Sequence, residues 1–214
     1  KRYILFFPEK IKQIVMVKKI FILLLIATLS FVKAQENVAD LISVPGPIEL
    51  NGTEFFLSWS KQPSKTLYRQ QFLPRDEQIE NFTQLLDFSF FNKEIEIELA
   101  VRQKVESIQN RGEKDKFAKV NVSESPDGKE YIVDFFISEA PAKGDPYIEY
   151  NVYRFKQFET GSQKSFLILS YAKRMYGDLK SSVKSLGKER DQLMTNIIEY
   201  KIPEIKVAAL PLAK

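Results

Sequence analysis

From Phe117 to Tyr171 the chain alternates apolar and polar side chains with a period of two. Ala118, Val120 and Val122 alternate with Lys119 and Asn121. Tyr131, Val133, Phe135 and Ile137 alternate with Asp134 and Ser138, while Ile132 and Phe136 make the second face apolar as well. Tyr147, Tyr153 and Phe155 share a face with Glu149 and Asn151, opposite Ile148, Tyr150 and Val152, and Phe166 to Tyr171 is almost wholly apolar. Such alternation, rich in aromatic and β-branched residues, predicts three or four long antiparallel strands. The apolar second faces predict a sheet covered on both sides at its centre.

Upstream, Ile48 to Ser60 reads as one strand, or two with a tight turn at Asn51-Gly52, a pair that accepts positive φ. Gln62-Pro63-Ser64 predicts a turn, and Thr66 to Leu73 a further strand ended by Pro74. Asp76 is placed to cap a helix running to about Leu86, with Ile79, Phe82 and Leu86 on one side. Phe88 to Phe91 reads as an extension or a short strand. Lys93 to Asn110 predicts a second helix with an Ile97, Val101, Val105, Ile108 stripe. The first hairpin of the meander closes at Ser125-Pro126-Asp127-Gly128. Asp178 caps a last helix, Leu179 to about Tyr200, whose Leu179, Val183, Leu186, Leu193, Met194 and Ile197 fall on one face. Pro203 stops it.

These elements predict an α+β protein: a central antiparallel β-sheet flanked by helices in an α/β/α sandwich, with a long C-terminal helix. The order resembles the PsbP-like α/β/α sandwich family. Phe72-Leu73-Pro74, the segment with Asn81-Phe82-Thr83-Gln84-Leu85, and the apolar run through Phe91 carry the resemblance. It implies a binding or assembly-assisting module, and it transfers no site residue to this chain.

Met16, Lys18 and Lys19 precede a thirteen-residue, largely apolar run from Ile20 to Val32, and Val32-Lys33-Ala34 suits a signal peptidase. Residues 16–34 are therefore expected to be a signal peptide cut before Gln35, the run being short for a spanning helix. Residues 1–15 are expected to be mis-called upstream sequence, 35–47 a linker, 48–202 a single domain and 203–214 a tail. The leader changes the charge picture. Of 32 basic and 28 acidic residues, seven and one precede Gln35, so the overall +4 becomes −2 and no nucleic-acid footprint remains. The expectation is an exported protein, periplasmic or secreted, with no membrane span after cleavage.

The chain has no Cys and no His. Disulfides, thiolate nucleophiles, Ser-His-Asp triads and imidazole ligands are excluded, and neither a cofactor nor a metal site is expected. Asp134 and Glu149, on neighbouring strands, are the candidate catalytic pair if they face one side, as a glycosidase-like hydrolase requires. Solvated carboxylates or ion-pair partners are the plainer reading of both. Trp59, the single tryptophan, and Tyr147, Tyr150 and Tyr153 are candidate ligand-stacking residues, with core packing as their plainer role. The favoured function is a non-catalytic binding or accessory module of the bacterial cell envelope, for an envelope protein or a small ligand. The alternative is a carboxylate-dependent hydrolase.

Overall fold

The computed structural model describes residues 38–160 and 163–207. The expected upstream segment and signal peptide lie outside the described residues, as does the end of the tail. Eight strands form one antiparallel sheet: β1 (Ile48–Leu50), β2 (Thr53–Ser64), β3 (Leu67–Pro74), β4 (Gln84–Phe91), β5 (Lys119–Glu124), β6 (Glu130–Glu139), β7 (Tyr147–Thr160) and β8 (Gln163–Tyr176). Helix α1 (Ile97–Arg111) links β4 to β5, and α2 (Leu179–Glu199) follows β8. The strand order is β1-β2-β3-β4-β8-β7-β6-β5. Two four-strand meanders are thus joined where β8 pairs with β4, from Gln84↔Lys173 to Phe91↔Phe166.

This corrects the α/β/α sandwich. The described residues form a single antiparallel sheet, curled into a half-barrel, with two helices among them. The helix expected from Asp76 to Leu86 does not form. Ile79, Phe82 and Leu86 have helical spacing, but Leu86, Phe88 and Phe90 also have strand spacing, and the second pattern wins. All three are buried on one side of β4, while Asp87 and Ser89 face the other. Residues 75–83 form a loop instead. Glu77 ties it down, its carboxylate accepting the N–H of Thr83 at 2.7 Å and of Gln84 at 3.2 Å, and Phe82 tucks beneath it against Leu73 and Ala172.

Other local signals hold. Asn51 (φ 52°) and Gly52 (φ 73°) turn the chain between β1 and β2. The side chain of Asp178 accepts the N–H of Ser181 and starts α2. The expected linker behaves otherwise. Leu41, Ile42 and Val44 are buried, the N–H groups of Leu41 and Ile42 donate to Gln70 Oε1 at 2.7 and 2.9 Å, and Lys206 N–H donates to Ile42 O. Ile205, assigned to the tail, is also fully buried.

The two faces of the sheet differ. Phe55, Phe72, Phe88, Phe90, Ile148, Val152, Leu169 and Tyr171 meet Leu186, Leu193 and Ile197 of α2 in the main core. On the reverse, Val101 and Ile108 of α1 cover Val133, Phe135, Phe155 and Phe166, over the β5–β7 end. Between α1 and the 75–83 loop, the same reverse face is polar.

Candidate functional site

The register of the sheet builds the polar area. Trp59 pairs with Gln71, Gln71 with Asp87, Asp87 with Ser170, and Ser170 with Tyr153. These five side chains therefore lie in one cross-strand row on one face, an aromatic at each end and three polar groups between. Four strand spacings make the row about 19 Å long. Flanking rows add Arg69 and Ser89 on one side, and Asn151, Ala172, Glu149 and Arg174 on the other. The area is the floor of a cleft of about 460 Å³, walled by Ile79, Phe82 and Lys104. A second groove, of about 640 Å³, shares Arg69, Gln71 and Ile79 and extends to Trp59.

Two ion-paired networks organise the floor. Asp87 is buried and accepts from Arg69 Nη2 at 2.6 Å, Gln71 Nε2 at 2.9 Å and Ser89 Oγ at 2.7 Å. Arg69 also lies 5.8 Å from the Trp59 ring. Glu149, also buried, accepts from Arg174 Nε at 2.6 Å and Asn151 Nδ2 at 2.9 Å. The Arg174 guanidinium is 3.7 Å from the Phe82 ring centre and 4.4 Å from that of Tyr147. Burial opposes its charge, but Glu149 outweighs that and holds its pKa above the ordinary arginine value. Burial, with Asp87 and Glu149 nearby, pushes the Tyr153 hydroxyl up to about 12.

Lys104 of α1 is the exception. Its ammonium sits over the rings of Tyr153 (4.3 Å) and Phe135 (5.7 Å), and burial lowers its pKa. It makes no ion pair with any acidic side chain among the described residues.

The expected catalytic pair is not a pair. Asp134 pairs with Val152 and Glu149 with Ile137, so the two carboxylates point to opposite faces of the sheet. Asp134 faces α2, where Arg190 grips it through Nε at 2.7 Å and Nη2 at 2.9 Å. Hydrogen bonding to Asp134 raises the Arg190 pKa, and burial followed by Asp134 raises that of Tyr150. Alternation along β6 and β7 sets each carboxylate's face, and the register between the strands puts those faces on opposite sides. Asp87 and Glu149 do share a face, but two strands and four residues separate their positions, about 16 Å along the sheet. Of the stacking candidates, Trp59 and Tyr153 end the polar row, Tyr147 stacks on Arg174, and Tyr150 is wholly buried under α2. Among the described residues no cluster of three or more acidic side chains could hold a metal ion.

Arg69, Gln71, Asp87, Lys104, Ser170 and Arg174 were not among the residues singled out from the sequence. Asp87 and Ser170 did carry a signal, each being a polar residue set between apolar neighbours (Leu-Leu-Asp-Phe and Ile-Leu-Ser-Tyr).

A protein-family profile matches residues 42–202. The chain belongs to that family. The matched span runs from buried Ile42, ahead of β1, past the end of α2, so it contains every strand and helix of the described residues and the whole polar row. No curated protein and no solved structure matches the chain. No helix among the described residues is long and apolar enough to cross a membrane.

Proposed function

We propose that this family member is an exported, non-catalytic binding module of the bacterial cell envelope, and that its ligand sits on the Trp59–Gln71–Asp87–Ser170–Tyr153 row. The row itself carries the reading. A sheet face that is not needed for a core is normally apolar under a helix or charged in open water. This one is the floor of a cleft, partly buried and polar, and its carboxylates are already satisfied by neighbouring side chains. Pre-ordered amide, hydroxyl and guanidinium groups framed by aromatic rings are the equipment of a small-molecule site. Export rests on the leader, with its basic start, apolar core and Val32-Lys33-Ala34 end.

Catalysis is disfavoured by chemistry. Asp87 and Glu149 are each held by an arginine, and their positions in the sheet, about 16 Å apart, lie beyond the roughly 5–10 Å over which two carboxylates share a glycosidic bond.

Native mass spectrometry of protein purified from its own envelope tests the reading. A bound small molecule is expected, lost when Ser170→Leu fills the row between Asp87 and Tyr153 while the thermal melt stays cooperative. Ligand-free protein in both samples, or a mass retained by the variant, would count against the row as the seat.

A further inference from the structure

We infer that Lys104 is the anchor for a carboxylate on the ligand of this cleft, so that the ligand class is small organic acids with a hydroxyl- or amide-bearing body. The inference rests on the binding reading above and adds the ligand's charge. Three cations and two anions line the cleft. Arg69 is committed to Asp87 and Ser89, and Arg174 to Glu149 between two rings. That leaves Lys104, half-buried at the α1 wall, with aromatic faces beneath it and no counter-charge among the described residues. A partly desolvated ammonium without an anion is an unbalanced charge, and burial lowers its pKa. A ligand carboxylate would restore the balance.

The count of free cations separates carboxylate from phosphate. A phosphate dianion is best held by several cations or by an arginine fork. Each arginine here already has a carboxylate partner, Asp87 or Glu149, and one ammonium matches one carboxylate. The rest of the floor, Gln71, Asn151, Ser170 and the Tyr153 hydroxyl, offers hydrogen-bonding groups to a polar body, and Phe82, Leu85 and Ala172 offer it an apolar edge.

The test is a matched titration of the full exported chain, read by the fluorescence of its single tryptophan, which lines the adjoining groove, and by amide chemical shifts. N-acetylleucine is compared with N-acetylleucinamide, and glucuronate with glucose. One pair represents peptide-like acids and the other sugar acids. In at least one pair the acid should bind roughly 10-fold or more tighter than its neutral partner, as expected for a charge-assisted contact. Lys104→Met should bring that ratio to about one, and Lys104→Arg should keep most of it. The cooperative melt should be unchanged in both variants. If acid and neutral compounds bind the cleft equally and Lys104→Met changes nothing, the assignment of Lys104 fails while the binding reading stands. If none of the four shifts the cleft residues, the carboxylate assignment is overturned, and native mass spectrometry decides the binding reading separately.

Discussion

The two faces of this sheet use buried polarity in opposite ways. On the α2 face, buried Gln70, Asp134 and Arg154 each tie one structural element to another. Gln70 accepts the main-chain N–H groups of Leu41 and Ile42 and so fixes the segment before β1. Asp134 holds Arg190 of α2. Arg154 donates to the carbonyls of Ile197 and Tyr200 at 3.1 and 2.9 Å, neutralising the negative end of the helix while Glu130 balances it. On the reverse face, Arg69, Gln71, Asp87 and Ser89 bond to one another across neighbouring strands, as do Glu149, Asn151 and Arg174. Those bonds dock no helix among the described residues. Buried polar groups are costly unless satisfied, so a network that is satisfied yet seats no helix points to the open cleft above it.

The contrast is broken most severely on the α2 face. Arg190→Ala leaves Asp134, whose side chain is 2% exposed, without its cation. The expected loss is about 3–5 kcal/mol by denaturant unfolding, because an uncompensated buried charge is worse than an absent one. Adding Asp134→Leu in the same chain should recover much of that loss. Leu193→Ala, which removes a side chain that is 2% exposed, should cost about 2–5 kcal/mol, whereas exposed Lys188→Ala should be nearly silent. Equal effects at positions 193 and 188 would mean that α2 is not seated on the sheet.

A third prediction concerns acid. Buried Asp115 accepts from the N–H and hydroxyl of Ser138 at 2.6 and 2.7 Å, from Phe117 N–H at 3.0 Å and from Arg111 Nε at 3.1 Å. Burial would raise its pKa, but the Ser138 bonds and then Arg111 outweigh burial and lower it. A depressed folded-state pKa contributes stability that is fully present above the unfolded value, about pH 4, and is lost as pH falls through the folded value. Stability measured from pH 6 down to pH 2 should therefore fall more steeply in the wild type than in Asp115→Asn. Parallel curves would remove Asp115 from the account. The smallest effect belongs to the cleft wall. Lys104→Met should change unfolding free energy by no more than about 0.5 kcal/mol, as for a residue whose charge holds nothing in the fold.

Much of the fold was legible because its signals are local. Asn51-Gly52 turns, Asp178 caps, and the β5–β8 meander and α2 follow their own periodicities. The 76–86 segment failed because Leu86 belongs to both a helical and a strand pattern. Only its partner decides between them: Phe72 on β3 and Tyr171 on β8 take Leu86 into the sheet. Residues 35–47 read as a linker because Pro45-Gly46-Pro47 breaks secondary structure, yet a chain without regular structure can still bury Leu41, Ile42 and Val44. The site was least legible. Its row takes one residue from each of five strands, from Trp59 to Ser170, and only their register aligns them. The alternation of β7 did place Glu149 with Tyr147 and Tyr153, opposite Tyr150, as found, but could not say which side Asp134 of β6 would share.

The central claim is that the polar face is a ligand seat and the α2 face is structural. The most direct test is an amide and side-chain chemical-shift map of the protein titrated with small-molecule extract from its native cells. Saturable shifts confined to Gln71, Asp87, Lys104, Asn151, Tyr153 and Ser170, with the residues facing α2 unmoved, are what this account predicts. Saturable shifts centred on Tyr150, Asp134 and Arg190, or no saturable shift on either face, would contradict it.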